Sequence, residues 1–163
     1  MIDKLIEKVG KAVSWLNVLL IGLICLDVLF RYLFSFSKNW IIELEWHMFA
    51  MIFLLGSAYA LQMENHVRVD VFYQRFSERT KTIINLLGTL IFLFPWCYLV
   101  ITTSYKFFIN SWYIREGSAQ PGGLPARYLI KGMIVVGFIL LALQGVSLVI
   151  KYLKELKAGT WKS

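Results

Sequence analysis

Apolar positions along this chain gather into four long blocks, separated by shorter connections that carry most of the charge. Thr82–Tyr105 runs 24 residues without a formal charge, and Gly132–Ile150 runs 19. Trp46–Met63 runs 18 residues with only His47 interrupting it, and Ala12–Phe34 carries Asp27 and Arg31 near its far end. About 18 such residues in a helix rising ~1.5 Å each suffice to cross a ~30 Å hydrocarbon core. Continuous apolar runs, rather than strict alternation, exclude a strand barrel. With flanking residues added, the pattern predicts an all-α integral membrane protein. It has a single domain whose four spans cover residues 12–34, 40–63, 82–107 and 125–151.

The connections have patterns of their own. Ile2, Leu5, Ile6 and Val9 recur at helical spacing among Lys and Glu, which predicts an arm lying in the interface before it turns into the first span. Val69, Phe72 and Phe76 share a face in the same way, predicting a short interfacial helix over residues 70–77 with Asp70 as its N-cap. Gly117–Pro125 is a loop with no helical period, and Pro125 is expected at the first helical position of span four. Trp15, Trp40, Trp112 and Trp161 lie near span ends, where indole rings favour the headgroup layer. Trp96 is mid-span beside Pro95 and is expected to pack at a proline kink.

Composition supports the same class. Hydrophobic residues make up 58% of the 163 and charged residues 17%, with mean hydropathy +0.64. A small soluble domain leaves too much surface exposed to hide that much apolar side chain, and a disordered chain lacks it altogether. The net charge of +7 therefore points to anionic lipid headgroups and membrane phospholipids rather than nucleic acid. Two Cys and two His leave little room for a structural metal site, and no metal or cofactor is expected. Eleven basic residues fall on the side of the N-terminus, the middle connection and the C-terminal tail, against six on the other side. By the positive-inside rule both termini are expected in the cytoplasm. Lys4, Lys8 and Lys11 resemble a signal-peptide n-region, but the apolar run is long and lacks a small-x-small site, so an uncleaved anchor is expected.

Charges within spans are functional candidates by default. Asp27 and Arg31 are four apart on one helical face; they form either a structural ion pair or a proton or ion site. Glu43 and Glu45 open span two. Two positions along a helix turn by about 200°, so their carboxylates face opposite ways and cannot share one proton or one metal. One can turn back to Arg31 or Lys38, while the other needs a partner elsewhere, on another protein for example; a transport carboxylate is the alternative. His47 lies four residues after Glu43, within reach of a hydrogen bond to it. His47 and His66 are too far apart on one helix to bridge a haem. Cys25 and Cys97 read as small hydrophobes. Lys131 can snorkel to headgroups or meet a carboxylate, and Gln144 can hydrogen-bond across helices. A phosphate loop, a metal cluster and a nucleophile elbow are all missing. So are a broken span and an inverted repeat, the usual parts of a complete carrier.

Several short stretches, in order, resemble a known family. They are Arg31-Tyr32-Leu33-Phe34, the Trp40…Glu43…Glu45 start of span two, His66-Val67-Arg68-Val69-Asp70, Gly122-Gly123-Leu124-Pro125, and the later Lys131 and Gln144. Together with the four-span layout they resemble the small membrane subunit of tripartite ATP-independent periplasmic (TRAP) transporters, the DctQ-like family. In many members the acidic pair is adjacent; here Leu44 separates it. The resemblance implies a multi-pass protein of the bacterial inner membrane without catalytic residues. Its implied partners are a large elevator-type membrane subunit and a periplasmic substrate-binding protein. Together they would take up an organic anion, of C4-dicarboxylate or sialic acid type, coupled to sodium. The small subunit would act as a scaffold. Asp27, Arg31, Glu43, Glu45, His47, Lys131 and Gln144 are then expected to make polar contacts with the partner or within the chain. Arg115, Glu116, Gln120 and Arg127 are expected to dock the binding protein. The rival readings are a self-sufficient four-span carrier, dimeric, with Asp27 as its coupling carboxylate, and a membrane enzyme or redox subunit using Glu43, His47 and His66.

Overall fold

A computed structural model of the chain describes residues 2–63 and 76–159. The described residues form helices α1 (Ile2–Phe34), α2 (Asn39–Gln62), α3 (Glu78–Gly88), α4 (Phe94–Tyr113) and α5 (Tyr128–Ala158). A π-helical turn, Thr89–Leu93, joins α3 to α4, so Glu78–Tyr113 is one rod. The chain thus has four helices long and apolar enough to cross a membrane.

Three local expectations are corrected. The N-terminal arm does not turn: α1 is one helix from Ile2, and Ile6, Gly10 and Val13 are buried along it. Gly10 weakens the helix without breaking it and lets the Tyr59 ring pack against α1, and burying Ile6 and Val13 against protein removes the need for a lipid interface. Pro125 does not open the last helix. Ala126 adopts φ 67, a left-handed conformation, so helical backbone begins only at Arg127, the residue before α5. Trp96 does not pack at a kink, being 59% exposed. Pro95 has no N–H for the carbonyl four residues back; the rod passes it through the preceding π turn, where the Phe94 N–H donates to Thr89 O. The predicted helix at 70–77 lies outside the described residues except for Phe76 and Ser77. These precede α3, and the Ser77 hydroxyl accepts the Thr80 N–H at 3.3 Å as its N-cap.

The helices stand in a row. α5 packs along α2 on one flank and along α3–α4 on the other, while α1 packs mainly on α2 and reaches α5 over a shorter length. Close approach explains why α2 and α5 sit together in the middle. A Cβ at Gly137 would lie 2.8 Å from Leu54 O, so only glycine lets the two backbones meet. The row leaves broad apolar faces open, with Phe53 70% and Phe92 74% exposed. Such faces suit hydrocarbon or a membrane partner, not water. Gln144, 1% exposed on α5, donates to Asp3 Oδ1 at 3.3 Å, and the Ser147 hydroxyl donates to the same oxygen at 2.8 Å. Gln62 donates to Asp3 O at 3.1 Å. These bonds tie the start of α1 to the end of α2 and to α5.

Candidate functional site

Most of the polar residues singled out in the sequence collect at the opposite end of the row, where the Ile114–Arg127 loop joins α4 to α5. Glu43 stands near the start of α2 and is 8% exposed. One of its carboxylate oxygens accepts the Ser118 hydroxyl and the other accepts the Leu124 N–H at 2.6 Å. Asn39, at the start of α2, donates its amide to Pro121 O at 2.8 Å. Within the loop, Ser118 N–H donates to Leu124 O and Gly123 N–H to Gln120 O, both at 3.0 Å. The loop is therefore folded on itself and held to α2. Its other anchor is Glu116, whose carboxylate accepts Lys131 Nζ from the first turn of α5 and Ser111 Oγ, at 2.6 Å, from the end of α4. The Lys131 ammonium, and then the Ser111 hydroxyl, hold Glu116 below the ordinary carboxylate range. Lys131 also lies 3.8 Å from the Phe107 ring centroid, and Arg127 lies 5.8 Å from that of Trp46.

A second, smaller cluster lies on the other side of α2. Asp27 on α1 is 3% exposed and takes the Arg31 guanidinium on one oxygen. Glu45 lies close enough to interact with the charges of both. Asp27 Oδ1 and Glu45 Oε1 are buried without a hydrogen-bond partner. His47 Nδ1 meets the main-chain carbonyl of Glu43, which can only accept, so the ring carries a proton there; the Glu43 carboxylate is not its partner.

Residues 20–155 match the family described as tripartite ATP-independent periplasmic transporters, DctQ component. The chain belongs to the DctQ family. It is thus the small membrane component of a TRAP transporter, a class that works with other TRAP subunits. No curated protein matches the chain.

In this DctQ component most of the expected site residues divide into three groups. Glu43, Glu116, Gln120, Arg127 and Lys131 come together around the loop, while Asp27, Arg31 and Glu45 form the cluster on α1 and α2. Gln144 is at the far end with Asp3. Glu116, expected to dock the binding protein, pairs with Lys131 and Ser111 within the chain. Arg115 and Gln120 are exposed. Sequence reasoning missed Ser111, Ser118, Asn39 and Asp3. The signal for Ser118 was a buried-helix carboxylate lacking donors next to a loop rich in N–H and hydroxyl groups. Among the described residues, no group of three or more His, Cys, Asp or Glu is placed to hold a metal ion.

Proposed function

We propose that this chain is a fixed, non-catalytic scaffold of its TRAP transporter. In this reading it braces the large elevator-type subunit in the inner membrane. It also helps seat the periplasmic binding protein during sodium-coupled uptake of an organic anion of C4-dicarboxylate or sialic acid type. The observation that carries the reading is the internal occupation of the loop-end charges. Glu43, Glu116 and Lys131 have their partners within the chain and shape a rigid cap rather than a passage for solute. Open apolar flanks on α1 and α4 support a membrane partner beside the row. Lys4, Lys8, Lys11, Arg79, Lys81, Lys151, Lys154 and Lys157 gather at the end away from the cap. That distribution supports a cytoplasmic position for both termini and a periplasmic one for the cap. The self-sufficient carrier gains less support, because Arg31 already holds Asp27.

The test is co-expression of the tagged chain with the large subunit and the binding protein. The scaffold reading expects the large subunit to co-purify with the chain. It also expects Gln120→Cys to cross-link to the binding protein only when all three proteins are present. A chain that purifies as a self-contained dimer, with no affinity for the large subunit, would overturn it.

A further inference from the structure

Two cavities meet at the loop end, with Trp46 and Arg127 as their common wall. One, about 460 Å³, is apolar; Phe49, Phe53, Phe107 and Ile134 line it, and it opens along α2 and α5. The other, about 540 Å³, is polar and includes Asn39, Glu43 and Gln120. Side chains at the junction are arranged unequally. Lys131 is already paired with Glu116. The Arg127 guanidinium makes no hydrogen bond or ion pair among the described residues; it lies over the Trp46 ring, with the Glu43 and Glu116 carboxylates near enough to feel its charge. A guanidinium with its N–H donors uncommitted among the described residues thus lines a greasy groove on one side and a carboxylate-bearing cleft on the other.

We propose that these joined compartments bind one phospholipid whose headgroup carries a primary ammonium, of the phosphatidylethanolamine type. Each part of the ligand meets its complement. An acyl chain lies along Phe49, Phe53 and Ile134. The phosphate pairs with Arg127, whose planar fork matches two phosphate oxygens. The ammonium enters the polar cleft and donates to Glu43 and the Gln120 side chain. Glu43 retains acceptor capacity, since a carboxylate has about four lone-pair sites and two are in use. The pairing of one cation with one carboxylate across the wall fits a zwitterion. A choline headgroup cannot donate to Glu43, and an anionic glycerol headgroup brings no cation to it. The site is independent of the scaffold role and stands or falls separately from it.

Trp46 supplies the probe. The full-length chain in nanodiscs is titrated with lipids brominated on the acyl chain, and the Trp46 signal is taken as the difference between wild type and Trp46→Phe. The proposal expects quenching by phosphatidylethanolamine at about tenfold lower mole fraction than by phosphatidylcholine or phosphatidylglycerol, the scale of one charge-assisted hydrogen-bonded pair. Arg127→Gln removes the preference, Arg127→Lys restores part of it, and Arg115→Gln on the exposed loop leaves it intact. Native mass spectrometry gives a second readout that does not depend on Trp46: a retained phosphatidylethanolamine adduct in wild type, absent in Arg127→Gln. Equal quenching by all three lipids, indifferent to Arg127, means ordinary annular lipid and overturns the proposal. Preference for phosphatidylglycerol overturns the headgroup assignment. Loss of lipid access when the large subunit is added assigns the groove to that subunit instead.

Discussion

The two seams that flank α2 near the loop end deal with buried carboxylates in opposite ways. Toward α5, Glu43 has a donor on each oxygen, supplied by a loop some 80 residues away in sequence, and the seam is closed. Toward α1, Arg31 pairs with Asp27 while Glu45 only feels its charge, and each carboxylate leaves a buried oxygen without a donor. Carboxylates of the same type, only two residues apart on α2, thus occupy a completed clamp and an incomplete cluster. Burial raises the cost of an unsatisfied carboxylate, so the first seam is satisfied within the chain while the second is left short of donors.

Substitutions can break or sharpen this contrast. The largest effect is expected where the backbones touch. Gly137→Ala on the α2–α5 seam forces a contact with Leu54 O and should cost about 1–3 kcal/mol in thermal unfolding. Gly56→Ala meets Val13 at an ordinary 3.6 Å and should be neutral or slightly stabilising. Similar losses at both positions would erase the distinction. Next come the carboxylates themselves. Glu43→Gln should free the loop, speeding protease cleavage within residues 114–127 and lowering the melting temperature. Glu45→Gln should leave both unchanged or raise the melting temperature, because it removes a buried negative charge facing Asp27.

Much of this was legible in the sequence, for identifiable reasons. Apolar run length fixes four spanning helices because backbone groups in lipid must be satisfied within the helix. The two-residue spacing of Glu43 and Glu45 placed their carboxylates on opposite faces, and the four-residue spacing of Asp27 and Arg31 made them neighbours. What the sequence did not reveal is which distant donors close each face. Ser118 and Leu124 reach Glu43 only through loop geometry, including the left-handed turn at Ala126 that delays α5. Asp3 was read as part of a surface arm because nothing local indicates that α1 runs unbroken into contact with Gln144.

Smaller effects belong to the ends of the row. Gln144→Ala removes the amide that reaches Asp3, an interhelical bond worth about 0.6–1.7 kcal/mol, and should loosen the start of α1 as read by hydrogen exchange. The loop's acid response should be smaller still. Glu116 titrates lower folded than unfolded, so its contribution is fully present above the ordinary glutamate range. It fades as pH falls through the lowered folded value. Loop protection should therefore hold at neutral pH and decline in acid, and Glu116→Gln should flatten that decline.

A chain that only braces its transporter should move nothing by itself. Uptake of a radiolabelled organic acid into proteoliposomes under a sodium gradient tests it most directly, comparing the chain alone, the large subunit alone, and both with the binding protein. The chain alone should behave as empty liposomes, and uptake should need the complete set. Sodium-driven accumulation by the chain alone, abolished by Asp27→Asn, would contradict it.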